Sequence, residues 1–222
     1  MKLIYERNID NGLSDLIKRL KLELRQNKNV LWLVSGGSNI QSAVKVMSNI
    51  PNELQMQLTI LPVDERFGKV GHEDSNYQQL LDAGFNCGDA ILLNILEPNL
   101  SIEQTDERFK SVAGQAFEEA DVVIAILGIG VDGHIAGILP ESLASKESRK
   151  YVSSYDSDSF QRITLTFPAL RKIRAAYVYA YGQSKADALT SLISEIINPE
   201  IQPAQILKEL PEAYVYNDSI ET

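Results

Sequence analysis

Histidine is the side chain whose ordinary pKa, about 6.5, lets it take and return protons near neutral pH. The sequence holds two. One, His134, stands in Gly128-Ile-Gly130-Val-Asp132-Gly133-His134-Ile-Ala136, directly after the apolar run Val122-Val-Ile-Ala-Ile126. Three glycines in a loop behind a strand, Gly133 among them, suggest close approach of backbone to a ligand, and Asp132 lies two residues from a histidine that could sit in the resulting cleft. A lone histidine is more often structural. This setting turns the reading toward proton transfer, with His134 and Asp132 as candidate catalytic residues. His72 lacks the setting and reads as a surface or loop histidine.

Groups able to hold an anion sit in comparable places. Ser35-Gly36-Gly37-Ser38 follows the run Val30–Val34 and precedes a helical pattern that begins near Asn39. Gly36 and Gly37 permit a sharp turn and a close approach, and a helix start offers free N–H groups, so Gly36, Gly37 and Ser38 form a candidate phosphate cradle. The competing reading is a strand-to-helix turn in which Ser38 and Gln41 make a capping box. Asp64-Glu65-Arg66 follows the run that ends near Val63. There Asp64 suits sugar hydroxyls and Arg66 suits a phosphate, although salt bridging at the surface is the plainer role. In the neighbouring His72-Glu-Asp-Ser-Asn-Tyr77, Asp74 or Ser75 reads as a helix cap. Arg162 opens Ile163–Thr166, and Lys185 closes Gly182-Gln-Ser-Lys185. Both suit a phosphate; alternatively Arg162 pairs with Asp156 or Asp158, and Lys185 is solvated in a first helical turn.

Strands must carry these loops. Val30–Val34, Leu58–Leu61, Ala90–Leu93, Val122–Ile126, Ile163–Thr166 and Ala175–Ala180 are short apolar runs of the kind buried on both faces of a parallel sheet. Between several of them lie helical faces: Leu13, Leu16, Ile17, Leu20 and Leu24 early, and Leu189, Leu192, Ile193 and Ile196 late. Alternation of this kind predicts an α/β fold, a doubly wound, mainly parallel sheet flanked by helices, Rossmann-like, with residues 1–222 as one domain. In such sheets ligands lie beyond the C-terminal strand ends, which is where the loops above fall. The polar tract from Ser142 to Ser159 lacks periodicity and reads as a long surface loop or lid, or as plain disorder.

Twenty-one basic against 30 acidic side chains give a formal charge of −9 with no Lys/Arg-rich tract, which argues against a nucleic-acid partner. No apolar run approaches a membrane span, and charges interrupt the first residues where a signal peptide would need an apolar core, so a cytoplasmic location without membrane association is expected. Cys87 is the sole cysteine. With no Cys/His cluster, no zinc-type metal site is expected, and the thiol reads as structural or surface.

Taken in order, SGGS, VDER, HEDSNY, GIGVDGHIAGILP, RITLTFPAL and GQSKADAL resemble the 6-phosphogluconolactonase family of sugar-phosphate enzymes. The resemblance runs from about Val30 to about Asp218, and its most specific element is G-x-G-x-D-G-H followed by a short apolar stretch and proline. The stretch from Pro203 to Asp218 looks like that family's closing helix and strand. What the resemblance implies is hydrolysis of 6-phospho-D-glucono-1,5-lactone to 6-phosphogluconate, in the oxidative pentose phosphate pathway, with no metal or organic cofactor. It implies His134 as general base, Arg66, Arg162 and Lys185 on the 6-phosphate or neighbouring oxygens, Gly37 and Ser38 contributing, and Asp64 and Asp132 orienting substrate hydroxyls or the histidine. The expected partner is a small phosphorylated sugar lactone, and the expected assembly a monomer or small homo-oligomer.

Two other readings stand beside it. Glucosamine-6-phosphate deaminases are similar in the histidine loop, but they usually show Asp-Glu-Tyr where this chain has Asp64-Glu-Arg66, and Phe-Asn-Glu-Pro where it has Gly137-Ile-Leu-Pro140. A non-catalytic sugar-phosphate sensor would usually carry a helix-turn-helix ahead of its sensing domain, and only about 30 residues precede the first strong strand here. Asn39-Ile40 stands where the lactonases usually have Thr-Pro, and Gly137-Ile138 where Ser-Leu-Phe is common, both beside the expected site.

Overall fold

The computed structural model describes residues 1–221. Among these, seven strands form a parallel sheet: β1 (Lys2–Tyr5), β2 (Val30–Val34), β3 (Leu58–Pro62), β5 (Ile91–Leu92), β6 (Val122–Leu127), β9 (Ala175–Tyr179) and β10 (Glu212–Asn217). A three-stranded antiparallel sheet holds β4 (Asp64–Arg66), β7 (Val152–Asp156) and β8 (Gln161–Leu165). The helices are α1 (Ile9–Arg25), α2 (Ile40–Met47), α3 (Asn52–Gln55), α4 (Asn76–Asp82), α5 (Ile102–Glu119), α6 (Leu143–Lys146), α7 (Phe167–Leu170) and α8 (Ala186–Ser194). None is long and apolar enough to cross a membrane.

The expected α/β fold, doubly wound and mainly parallel, is what the chain adopts. The large sheet runs β1-β10-β9-β6-β2-β3-β5. Successive side chains of a strand point to opposite faces. In β2, Val30, Trp32 and Val34 pack with Leu13, Leu16 and Leu20 of α1 and Ala43 and Met47 of α2, while Leu31 and Leu33 pack with Phe109 and Ala113 of α5. Both faces are therefore buried, which is why the strand is a continuous apolar run rather than an alternating one. Burying each such side chain contributes roughly 1.5–3 kcal/mol. Caps set where the long helices start: Asn8 accepts from Asp10 N–H ahead of α1, and Ser101 with Gln104 closes a capping box ahead of α5.

Several expectations need correction. The run Ile163–Thr166 does form a strand, β8, but in the small antiparallel sheet rather than the parallel one. The tract from Ser142 to Ser159 is not a plain loop: Ser142 caps α6, and β7 pairs with β8 along its whole length. Its strand escaped notice because only Val152 and Tyr155 of β7 are fully buried, three residues apart, which breaks the alternation a half-buried strand displays. Of Ala90–Leu93 only Ile91 and Leu92 are in a strand. α8 ends at Ser194, so Leu189 and Leu192 face the core while Ile196 lies beyond the helix, 98% exposed. The parallel edge strand β1 was hidden among the charges of the first seven residues.

Candidate active site

From β2 the chain builds outward through β3 to β5, then returns to lay β6 on the other side of β2. The loops after β2 and β6 consequently diverge, leaving a crevice at the C-terminal edge, the usual ligand position of open α/β sheets. A cleft of about 370 Å³ occupies it, lined by both loops and by side chains from β4, β8 and the turn before α8.

On the β2 side, Gly37–Asn39 form a single 3-10 turn that leads into α2, and Gly36, Gly37 and Ser38 all line the cleft. No side chain caps α2, so the Ser38–Gln41 capping box is not made. Ser35 N–H and Oγ both bond the Ile126 carbonyl, stitching this loop to β6.

On the β6 side the chain doubles back. Gly130 N–H bonds the His134 carbonyl at 2.9 Å, and Ile135, fully buried, bridges Ile129 and Ile138. A β-carbon at position 130 would collide with the imidazole and with Asp132 Oδ1, so any side chain there would displace the Asp132–His134 pair. His134 Nδ1 lies 2.6 Å from Asp132 Oδ1, which also accepts the His134 backbone N–H at 3.1 Å. Burial by itself would raise the Asp132 carboxyl, but these contacts outweigh it and hold the group below its ordinary value. Its contribution to stability is present above the unfolded aspartate range and lost as pH falls through the lower folded value. With Nδ1–H donated to the carboxylate, Nε2 is left as the basic nitrogen. His134 lines the cleft and Asp132 stands behind it. Gly133 does not reach the cleft: at φ +80° it turns toward Gln202 instead.

Three cations converge from elsewhere. β4 and β8 pair antiparallel with Asp64 opposite Thr164 and Arg66 opposite Arg162, which sets two guanidinium groups side by side at the cleft. Thr164 Oγ1 accepts from Gly137 N–H at 3.0 Å, fastening the histidine loop to the same strand. Arg162 Nε donates to Ser157 Oγ rather than to Asp156 or Asp158. Lys185 enters from the 3-10 turn Gln183–Lys185, and burial pulls its ammonium below the ordinary lysine value. Asp64 is 5% exposed; burial pushes its carboxyl up, against the pull of Arg66, Arg162 and His134.

Glu65, fully buried, points away from the cleft. One carboxylate oxygen accepts Arg66 and Asn76 N–H, the other Ser75 Oγ–H and Tyr77 N–H. Ser75 is the α4 cap, accepting from Gln78 N–H. Glu65→Gln removes a buried charge yet aims an amide NH₂ at two donors, and the second effect is the larger. A loss of roughly 2–3 kcal/mol is expected, or about 5–10 °C in Tm by circular dichroism; an unchanged Tm would show that the three bonds from Ser75, Asn76 and Tyr77 do not anchor α4.

Two asparagines without an assigned role in the sequence reading, Asn39 and Asn76, also line the cleft. Asn39 Nδ2 donates to Ser35 Oγ at 3.0 Å. Asn76 Nδ2 donates to the Asp64 carbonyl, while its Oδ1, buried beside Gly36, has no protein partner. Asn76 stands in HEDSNY directly after the Ser75 cap, so the local pattern speaks only of a helix start. His72 stays outside the cleft, its Nε2 3.0 Å from the Arg66 carbonyl oxygen. Cys87 is a free, half-buried thiol.

The fold is that of a doubly wound α/β protein whose switch-point cleft brings clustered cations and an Asp–His pair together, an arrangement able to hold an anion beside a proton-transfer group. The chain belongs to the family of glucosamine-6-phosphate isomerases/6-phosphogluconolactonase, whose model matches residues 6–215. It is 25% identical to the glucosamine-6-phosphate deaminase of Clostridium perfringens over 94% of this chain and 93% of that one. It is 27% identical to the 6-phosphogluconolactonase of Chlamydia trachomatis over 59% of this chain and 51% of that one. In fold it superposes on the crystal structure of 6-phosphogluconolactonase from Thermotoga maritima with a TM-score of 0.80 at 20% identity, covering 97% of both chains.

Proposed function

We propose that this protein hydrolyses 6-phospho-D-glucono-1,5-lactone to 6-phosphogluconate, with His134 as general base. The observation that carries the reading is the His134–Asp132 contact at a cleft that Arg66, Arg162 and Lys185 also line. A lactone is an uncharged ester held by a charged handle. The cations take the phosphate, which does not react, and so fix the C1 carbonyl near the imidazole. Nε2 removes a proton from water as the water oxygen bonds C1. The imidazolium, stabilised by Asp132, then returns the proton to the ring oxygen as the C1–O bond breaks. One histidine serves both half-reactions, and the hydrolysis needs no redox partner.

The Clostridium relative favours a second reading, deamination of glucosamine 6-phosphate. Ring opening and departure of an amine need acid–base groups beyond one histidine. In this cleft Asp64 is the only carboxylate among the described lining residues, and Leu139 stands where the deaminase pattern has glutamate. The lactonase is therefore the better supported of the two.

The deciding experiment follows lactone hydrolysis, coupled to 6-phosphogluconate dehydrogenase and corrected for spontaneous opening, with ammonia release from glucosamine 6-phosphate measured in parallel. Lactone turnover alone supports the proposal, ammonia release replaces it with the deaminase, and silence in both assays leaves a binding domain.

A further inference from the structure

Arg66 and Arg162 are directly opposed on neighbouring antiparallel strands, an arrangement in which like charges repel and which sheets ordinarily avoid. Neither makes an ion pair among the described residues; Arg66 Nη1 donates to the Asp74 carbonyl at 2.8 Å, and Arg162 Nε to Ser157 Oγ at 3.1 Å. Both guanidiniums lie over the ring of Phe160. Its ring centroid is 5.4 Å from Arg66 Cζ and 5.9 Å from Arg162 Cζ, both within cation–π range. The residue stands at the turn that joins β7 to β8, closed by Ser157 N–H and Oγ bonding the Phe160 carbonyl. The same Ser157 hydroxyl that fixes the turn accepts from Arg162, so the turn, the ring and both guanidiniums are one mechanical unit. Arg66 Nε, meanwhile, is buried at the cleft with no protein partner, a donor left for something the cleft receives.

We propose that Phe160 is a positioning residue for the anion: its ring holds the two guanidiniums at the cleft, ready for one phosphate monoester, and offsets their mutual repulsion. Phe160 does not line the cleft and touches no reacting atom. The inference rests on the reading that Arg66 and Arg162 bind the substrate phosphate, but not on which reaction follows.

Phe160 is half-buried at a hairpin tip, so its removal leaves both cores intact, and Phe160→Leu keeps the apolar bulk while removing the π face. Loss of that face should raise KM for the phosphorylated substrate roughly tenfold, the factor expected for a partly desolvated cation–π contact, with kcat nearly unchanged. Phe160→Tyr should restore KM, which a purely packing role would not require of Leu over Tyr. Because this result needs turnover, calorimetric binding of glucose 6-phosphate is measured on the same variants. Binding weakened in Phe160→Leu and restored in Phe160→Tyr supports the clamp even if lactone hydrolysis is absent, so failure of the lactonase reading and failure of this one separate. Equal binding by wild type and Phe160→Leu overturns it, as does a fall in kcat at constant KM.

Discussion

His134→Ala should lower kcat for lactone hydrolysis by roughly 10²–10⁴-fold, the range that a positioned general acid–base group contributes. The expectation rests on geometry: Nδ1 is tied to Asp132, leaving Nε2 as the basic nitrogen of a ring that lines the cleft. KM should move little, because the imidazole is not among the groups assigned to the phosphate. Alanine at 134 keeps the backbone N–H that bonds Asp132 and gives up only the ring contact of a partly exposed pair, so the fold should survive with at most a small fall in Tm. Asp132→Asn makes an instructive partner. The Asp132 oxygen accepts the His134 backbone N–H as well as the ring, and asparagine retains an acceptor oxygen held by that N–H. Ring orientation then survives while the negative charge is lost, so the fall in kcat should be distinctly smaller than in His134→Ala. Steady-state kinetics at saturating lactone distinguish the cases: near-normal kcat in His134→Ala removes the histidine from the mechanism, and a larger loss in Asp132→Asn than in His134→Ala would mean that the carboxylate acts directly.

Arg66→Ala should raise KM roughly 10–100-fold with a small change in kcat, since one charge-assisted contact to a phosphate is worth about 1.5–3 kcal/mol and the phosphate does not react. Lys185→Ala should act in the same direction but more weakly, because an ammonium meets the phosphate as a single point charge whereas a guanidinium offers a planar fork. Arg66 also donates to the Asp74 carbonyl and so helps shape the turn before α4. Arg66→Lys is the control for that role: it keeps the charge, loses the fork, and should fall between wild type and alanine. Inhibition constants for 6-phosphogluconate measured on the same three variants report binding without chemistry. A KM unmoved by Arg66→Ala would place the phosphate elsewhere in the cleft.

Much of this was open to reading in the chain itself because it is encoded at short range. Runs such as Val30–Val34 and Val122–Leu127 are apolar at every position, which only burial on both faces makes favourable, so a parallel sheet between helices follows from local pattern. Glycines behind strands mark where backbone must approach a ligand, and the loops holding His134 and Gly36–Ser38 were found that way. What lay beyond reach was whatever depends on pairing between residues far apart. The opposition of Arg66 and Arg162 is a register between segments nearly 100 residues apart, and neither segment states its partner. β7 carried too few apolar residues to show a period, yet β8 pulls it into a sheet. Glu65 carried no signal of its own in Asp-Glu-Arg; in a strand its side chain points opposite to those of Asp64 and Arg66, and there it meets three donors from the start of α4, Ser75 Oγ–H, Asn76 N–H and Tyr77 N–H. The local sequence thus determined the sheet, its helices and the loops at its edge. The tertiary structure decided which charges face the cleft, because Asp64, Arg66 and Arg162 reach it only through antiparallel pairing in the second sheet, and Lys185 only through a turn more than a hundred residues further along the chain than Arg66.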